Sequence, residues 1–178
     1  MNTDDRANVE ATQEDLAFYE AQFKGMLLAD SPESIENDSL KHAIILIKCL
    51  IASARKSIKV FCHALRGDVW GNPAIVQAMD NALATGVTVQ VSVQAMPESR
   101  EIWKKLEDDE HAEVRMFPFG DQYSNFLLID DKSFRFEPDP AQRKGFAYVK
   151  APEHARVLTD LFNRIWKLSQ PLSLTIDG

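Results

Sequence analysis

Residues 125–137 read NFLLIDDKSFRFE and carry the clearest structural signal in the chain. Two apolar runs, residues 125–129 and 133–137, flank the triplet Asp130-Asp131-Lys132 at the spacing of a tight hairpin. Aspartate tolerates the left-handed backbone angles that such a turn requires. We therefore predict two adjacent antiparallel strands here and build the rest of the fold around them.

The chain before this hairpin alternates short β-branched runs with amphipathic helical patterns. Strand patterns occupy residues 57–63, 87–93 and 113–117, and helical patterns occupy residues 38–55, 72–86 and 97–106. An order of strand, helix, strand, helix, strand at this spacing implies right-handed crossovers. A short strand at 145–149 and a helix from Pro152 follow the hairpin. We predict an α/β domain with a mostly parallel sheet and helices on both faces.

A separate helical pattern lies near the N-terminus. It begins at Thr12, where the sequence TQED resembles a capping box with an acid at its fourth position. An apolar stripe follows at three- and four-residue spacing: Leu16, Tyr19, Phe23, Met26 and Leu27. Either the same domain or a helix of another chain can cover this stripe. Residues 30–38 are predicted to be the loop that joins this helix to the body.

Length and composition indicate one compact domain. The chain has 178 residues, 45% of them apolar, and two independent cores would each be small at this length. We divide it into an acidic N-terminal segment with an amphipathic helix (1–37), an α/β domain (38–170) and a C-terminal tail (171–178). The two cysteines, Cys49 and Cys62, have neither disulfide-framework nor zinc-site spacing, so we expect no cofactor or metal.

The formal charge of −7 is concentrated at the N-terminus. Residues 1–40 contain ten acids and two bases, whereas the remaining chain, with 17 acids and 18 bases, is nearly neutral. A nucleic-acid-binding domain usually shows a basic stripe, so the charge permits a nucleic-acid partner without favouring one. The start lacks the features of a signal peptide, and the longest apolar run, residues 43–47, is too short to span a membrane. We expect a cytoplasmic protein with no membrane partner.

Four segments follow one another in a characteristic order along the body. They are SARKSI at 53–58, ALATGVTV at 82–89, FLLIDDK at 126–132, and a last helix containing PEHA at 152–155 and FNRIW at 162–166. This set spans roughly residues 40–168 and resembles one half of the phospholipase D-like superfamily, whose members share an HKD motif. The resemblance implies an α/β fold and, for members with one motif per chain, a homodimer that pairs through the site face across a two-fold axis. The N-terminal amphipathic helix offers a second apolar surface for pairing.

The catalytic motif of that family is altered in this chain. In the family motif HxKxxxxD, the histidine is the nucleophile, the lysine neutralises phosphate charge, and the aspartate supports them. Counting back from Asp130 puts Tyr123 at the histidine position and Asn125 at the lysine position. A phenol is a weak nucleophile at pH 7, and an amide supplies no positive charge. Residues 136–139 read FEPD where the family has a Gly-Ser-x-Asn stretch, and Glu137 would repel phosphate. We interpret the phosphodiesterase site as degenerate.

A ligand pocket is nevertheless predicted at the carboxyl edge of the sheet, where open α/β sheets place their ligands. Its candidate residues come from the end of the first body strand, the loop after it, and the hairpin region: His63, Arg66, Asp68, Tyr123, Asn125, Asp130 and Glu137. Alternatively, His63 is an ordinary strand-end residue and Asp68 starts a turn. A metal site made of His63, Asp130, Asp131 and Glu137 is not supported by spacing, because a hairpin turn explains both aspartates.

Three functions remain open. The leading hypothesis is a non-catalytic phospholipase D-like binding or regulatory module that forms a homodimer. The second is a phosphodiesterase or nuclease with a rewired active site that uses His63, with its ring close to Asn125 or Tyr123. The third is an adaptor in a bacterial multi-gene system, in which the N-terminal helix docks a protein partner. The interleaved basic and aromatic residues at 132–150 favour buried aromatics over a base-stacking surface.

Overall fold

The structure is a computed structural model that describes residues 11–120, 124–142 and 144–172. Within that part the strands are β1 (Ser34–Asn37), β2 (Ser57–Cys62), β3 (Thr88–Val93), β4 (Ala112–Met116), β5 (Asn125–Ile129), β6 (Ser133–Asp139), β7 (Lys144–Tyr148) and β8 (Gln170–Pro171). The helices are α1 (Gln13–Ala29), α2 (Leu40–Ser53), α3 (Gly67–Trp70), α4 (Pro73–Ala84), α5 (Arg100–Glu107) and α6 (Pro152–Leu168). All of these strands join one sheet in the order β1-β7-β6-β5-β2-β3-β4-β8.

The sheet is mostly antiparallel, so the prediction of a mostly parallel sheet was wrong. Parallel pairing is confined to β2, β3 and β4, whose helical connections are long enough to cross over. The pairs β2–β5, β5–β6, β6–β7, β1–β7 and β4–β8 are all antiparallel. The connections between β5, β6 and β7 are too short for a crossover, so these strands run back and forth beside β2.

The predicted loop at residues 30–38 was also wrong in part, because it contains β1. This strand pairs with β7 from Ser34 opposite Tyr148 to Asn37 opposite Gly145. Ile35 and Asn37 are buried and their neighbours Ser34 and Glu36 are exposed, which is the alternation of an edge strand. This strand was not predicted because two acids and a nearby proline are typical of a loop. Its partner strand, β7, also lies far away along the chain.

The predicted hairpin and helix start are confirmed. Asp130 and Asp131 adopt left-handed angles, with φ of 54° and 53°, and the Lys132 N–H donates to the Ile129 carbonyl at 3.0 Å. At the start of α1, the Asp15 N–H donates to the Thr12 hydroxyl at 3.2 Å, and the Thr12 N–H donates to the Asp15 carboxylate at 2.9 Å. These reciprocal bonds form the capping box.

The sheet buries an apolar layer on each face. Along β2, Val60 and Cys62 belong to one layer and Phe61 to the other, as the two-residue repeat of a strand requires. The first layer packs against α1, α2, α4 and α5, whereas the second is rich in phenylalanine and packs against α6. Helices therefore cover both faces, as predicted. In the described part of the chain, no helix is long and apolar enough to cross a membrane.

Candidate functional site

A pocket opens where β2 ends and β5 begins, with a cavity of about 230 Å³. Its apolar lining comes from α2, the loop after β2, and α3: Leu40, Ala43, Ile47, Leu65, Val69 and Trp70. Its polar lining comes from the ends of β2, β5 and β6 and the loop after β2: His63, Arg66, Asn125, Arg135 and Glu137. The cavity is thus a largely apolar space with polar groups gathered at the strand ends.

Asn125 connects β2 and β6 across this pocket. Its Nδ2 donates to Glu137 Oε2 at 2.8 Å, and its Oδ1 accepts the backbone N–H of His63 at 3.3 Å. Both ends of the amide are therefore engaged by protein groups. The imidazole of His63 is not used in this contact, and His63 is exposed at the rim.

Arg135 is the buried cation of the site, with 5% of its surface exposed. Its Nε donates to Asn37 Oδ1 at 3.0 Å, and its NH2 lies 3.3 Å from Glu137 Oε1. Burial lowers the pKa of Arg135 and the carboxylate of Glu137 opposes that shift. Because a guanidinium stays charged at any ordinary pH, Arg135 and Glu137 form a charge-neutral buried pair.

Gly145 of β7 makes room for this pair. A Cβ added to it would lie 2.6 Å from the Phe136 carbonyl oxygen and 3.1 Å from Arg135 NH2. Sequence reasoning missed Asn37, Arg135 and Gly145 as site residues. The one signal available for Arg135 was its place among apolar strand residues, since an arginine on a buried face needs a partner.

Arg66 lines the pocket and forms an ion pair with Asp68, a predicted pocket residue that is not itself part of the lining. Their atoms NH2 and Oδ2 are 2.9 Å apart, and each side chain is about one-third exposed, at 37% and 33%. Solvent therefore screens this pair, in contrast to Arg135 and Glu137. Each formally charged side chain named in the pocket lining, Arg66, Arg135 or Glu137, thus has an oppositely charged partner.

Asp130 is not part of the pocket, although it was among the predicted pocket residues. It lies at the opposite end of the β5–β6 hairpin, where its carboxylate accepts the backbone N–H groups of Arg55, Lys56 and Ser57 at 2.8–2.9 Å. It therefore fixes the connection between α2 and β2. Tyr123 lies outside the described residues.

The structure also separates the residues of the metal set considered above. Asp131 binds Lys59 Nζ at 2.5 Å and the Thr159 hydroxyl at 3.1 Å, on the turn side of the hairpin. Among residues 11–120, 124–142 and 144–172, no three His, Cys, Asp or Glu side chains are arranged to hold a metal ion. Burial raises the pKa of the Cys62 thiol, which lines the pocket, to about 12, so it is a neutral wall group rather than a nucleophile.

Comparisons with known proteins identify the fold. No protein-family model and no curated protein matches the sequence. Among solved structures, the phospholipase D family member Nuc from Salmonella typhimurium matches 79% of this chain and 99% of its own, at 15% identity and a TM-score of 0.57. NucT from Helicobacter pylori matches 79% of this chain and 100% of its own, at 14% identity and a TM-score of 0.57.

A third similar structure is TrmBL2, an archaeal chromatin protein described as having a novel mode of DNA binding. It matches 90% of this chain and 65% of its own, at 14% identity and a TM-score of 0.58. At sequence identities this low, structural similarity supports a shared fold and does not indicate a shared chemistry. With its sheet order, its α6-covered aromatic layer and these structural matches, the chain has the phospholipase D-like fold.

Proposed function

We propose that this chain is a non-catalytic, homodimeric binding module of the phospholipase D-like fold, which holds a small molecule in the pocket between β2 and β5. The observation that carries the proposal is that the polar side chains in this pocket bind one another through hydrogen bonds and an ion pair. Asn125, at the position of the family lysine, is bound to His63 and Glu137. Glu137 is in turn paired with Arg135.

Phosphoryl transfer needs a nucleophile. It also needs positive charge that stabilises the negative charge on the phosphate oxygens in the transition state. In this pocket the nearest buried cation, Arg135, is already neutralised by a carboxylate 3.3 Å away. A phosphodiester entering the pocket would meet Glu137 as a repelling charge. The arrangement therefore favours binding over hydrolysis.

The same pairing indicates the ligand class. An ionic ligand that reached Arg135 or Glu137 would have to displace one member of this buried ion pair, which leaves the other member uncompensated. A neutral molecule avoids that penalty. The apolar wall with Trp70 and the cavity of about 230 Å³ fit a small, partly aromatic or aliphatic compound with one or two hydrogen-bonding groups.

The alternative is a rewired phosphodiesterase or nuclease. Its support is the exposed imidazole of His63 at the pocket rim, together with the structural similarity to Nuc and NucT. The structural similarity to TrmBL2 supports a further alternative, nucleic-acid binding without cleavage. The nearly neutral body and the paired state of Arg135 weigh against both.

A hydrolysis assay separates these functions. The full chain is incubated with bis(p-nitrophenyl) phosphate and with single- and double-stranded DNA and RNA, in EDTA and in Mg²⁺ or Mn²⁺. His63→Ala is compared with His111→Ala, an exposed histidine outside the pocket. No turnover in any condition supports the binding module. Turnover that is lost in His63→Ala and kept in His111→Ala overturns it.

Ligand binding is measured through Trp70, which lines the pocket. Neutral fragments and their anionic analogues are screened by tryptophan fluorescence and by thermal shift. We expect neutral fragments to change the fluorescence, the change to disappear in Trp70→Phe, and to persist in Trp166→Phe. Exclusive binding of the anionic analogues would contradict the ligand class that the buried ion pair implies.

A further inference from the structure

The inner face of α1 is fixed to the body of the protein. Phe23 is completely buried, and the Tyr19 hydroxyl donates to the Glu36 carbonyl at 2.7 Å. Glu20 binds Lys48 of α2 at 2.7 Å. The apolar stripe predicted from the sequence is therefore covered by the same domain. The helix presents its opposite face to solvent in a fixed orientation.

That opposite face carries an apolar seam. Phe18 is 73% exposed and Leu28 is 90% exposed, with Ala21 and Gly25 between them. The positions 18, 21, 25 and 28 alternate steps of three and four residues, which is the spacing of a helix-pairing seam. Within the described part of the chain, no contact explains why the large apolar side chains of Phe18 and Leu28 are so exposed to water.

Gly25 is the second unusual feature of this seam. A glycine inside a helix costs about 1 kcal/mol relative to alanine. A Cβ added at Gly25 would meet nothing within 4 Å, so no close approach within the described chain requires a glycine there. A bare backbone on an exposed helix face does allow the backbone of another helix to come close.

Charge is distributed unevenly along α1. Its first turn carries Glu14 and Asp15, and its last turn has no basic residue of its own. Next to its C-terminal end, however, Lys132 and Lys150 both bind Asp30, so these three side chains together carry one net positive charge. Two such helices attract each other only when they run antiparallel, because each acidic end then lies beside the other's basic end.

We propose that two copies of this chain pair through the outer faces of α1, antiparallel and across a two-fold axis. The order large, small, small, large reads the same from either end, so Phe18 packs against the partner's Leu28 and Ala21 against the partner's Gly25. This self-complementarity is what an isologous contact requires, and it selects a second copy over an unrelated protein. The inference rests on the homodimer of the proposed function and assigns its surface to α1 rather than to the site face.

The size of the contact sets its strength. A helix of 17 residues is about 25 Å long. A single pair of such helices buries an area at the low end for specific interfaces, so the dimer dissociates at low concentration. We expect a dissociation constant on the order of micromolar and a clear weakening at high salt.

The test is the solution mass by light scattering and sedimentation, from about 1 to 200 µM. The chain mass is 20.1 kDa, and the wild type should rise towards twice that value as concentration increases. Gly25→Glu places a carboxylate opposite the partner's Ala21 on each side of the axis and should raise the dissociation constant at least tenfold. Because glutamate is a better helix former than glycine, the variant should keep its fold and melting temperature.

The controls separate the surface from the dimer itself. Gln22→Glu makes the same charge change on an exposed residue beside the seam and should leave the mass nearly unchanged. A wild type that stays at 20.1 kDa overturns both the dimer and this surface. A dimer that Gly25→Glu leaves intact overturns the surface alone. The Trp70 binding assay is independent of both results, so failure of the pocket is recognised separately.

Discussion

The two ends of the β5–β6 hairpin are built in opposite ways. At the turn end, the Asp130 carboxylate accepts three backbone N–H groups of the α2–β2 connection. At the pocket end, side chains bind side chains: Asn125 to Glu137, and Glu137 to Arg135. The turn end fixes the backbone of the α2–β2 connection, whereas the pocket end contains a cluster of polar side chains beside an apolar cavity.

This difference shows what one matching motif residue can mean. Asp130 is the residue that matches the family motif, yet its role here is fully accounted for by backbone hydrogen bonds. Its presence therefore preserves the fold without requiring the chemistry. The pocket end holds Asn125, which the sequence resemblance aligns with the family lysine.

The largest expected effect is at the pocket end. Glu137→Gln keeps the shape of the side chain but leaves the buried Arg135 charge uncompensated, since these side chains are only 12% and 6% exposed. Loss of one partner of a buried pair typically costs 3–5 kcal/mol. We expect the free energy of unfolding to fall by about 3 kcal/mol, measured by urea denaturation.

The matched control is the ion pair at the pocket mouth. Asp68→Asn removes the partner of Arg66, but both side chains are about one-third exposed, so the loss should stay below about 1 kcal/mol. Equal losses for the two variants would mean that Arg135 and Glu137 are as well solvated as a surface pair. The contrast between a buried cluster and a screened mouth would then be wrong.

A smaller effect is expected at the turn end. Asp130→Ala removes the acceptor of three N–H groups and places alanine at a φ of 54°, so the free energy of unfolding should fall by about 2–3 kcal/mol. Asp130→Asn keeps one acceptor oxygen and tolerates the left-handed angles, so it should lose less.

Ligand binding distinguishes the two ends more sharply than stability does. Below its melting temperature, Asp130→Ala should bind pocket ligands as tightly as the wild type, as monitored through Trp70. Weaker binding in the folded variant would show that the turn end acts on the pocket. The hairpin would then have to be treated as one functional unit.

Local chemistry decides which parts of this molecule could be predicted from the sequence. The hairpin, the Thr12 cap and the helix predicted within residues 72–86 follow from side chains that satisfy or shape the adjacent backbone, so they were predicted correctly. The strand β1 has little β-forming character and exists because it pairs with β7. The mostly parallel sheet was predicted by extending a local strand–helix order to strands that return by short turns.

The candidate site was only half predictable for the same reason. The pocket lining includes His63, Arg66, Asn125 and Glu137, which were predicted because they follow strands or align with a motif. Arg135 was not among the predicted site residues, because its partner Asn37 lies 98 residues away. No local signal connects the two residues. A buried guanidinium needs hydrogen-bonding or charged partners, but the burial of Arg135 can be recognised only after the strands are arranged in the sheet.

Acid should weaken the ion pairs of α1 and of the residue that ends it, Asp30. Lys132 and then Lys150 lower the pKa of Asp30, and Lys24 and then Lys48 lower the pKa of Glu20. A carboxylate whose pKa is lower in the folded state stabilises that state above its unfolded pKa, and the contribution is lost as pH falls through the folded value. For these groups the loss falls below about pH 4.

We therefore expect α1 to lose protection in hydrogen exchange below about pH 4, after correction for intrinsic rates, while β2 and β5 stay protected. Glu20→Gln should remove part of this pH dependence, and 0.5 M salt should weaken it, because the carboxylates involved are partly solvated. Tyr19 and Phe23 still hold the helix through contacts that do not titrate in this range, so its release should be gradual. Simultaneous loss of protection in α1 and β5 would mean that the helix and the hairpin unfold as one cooperative unit, and that the two ends of the hairpin differ less in stability than their contacts indicate.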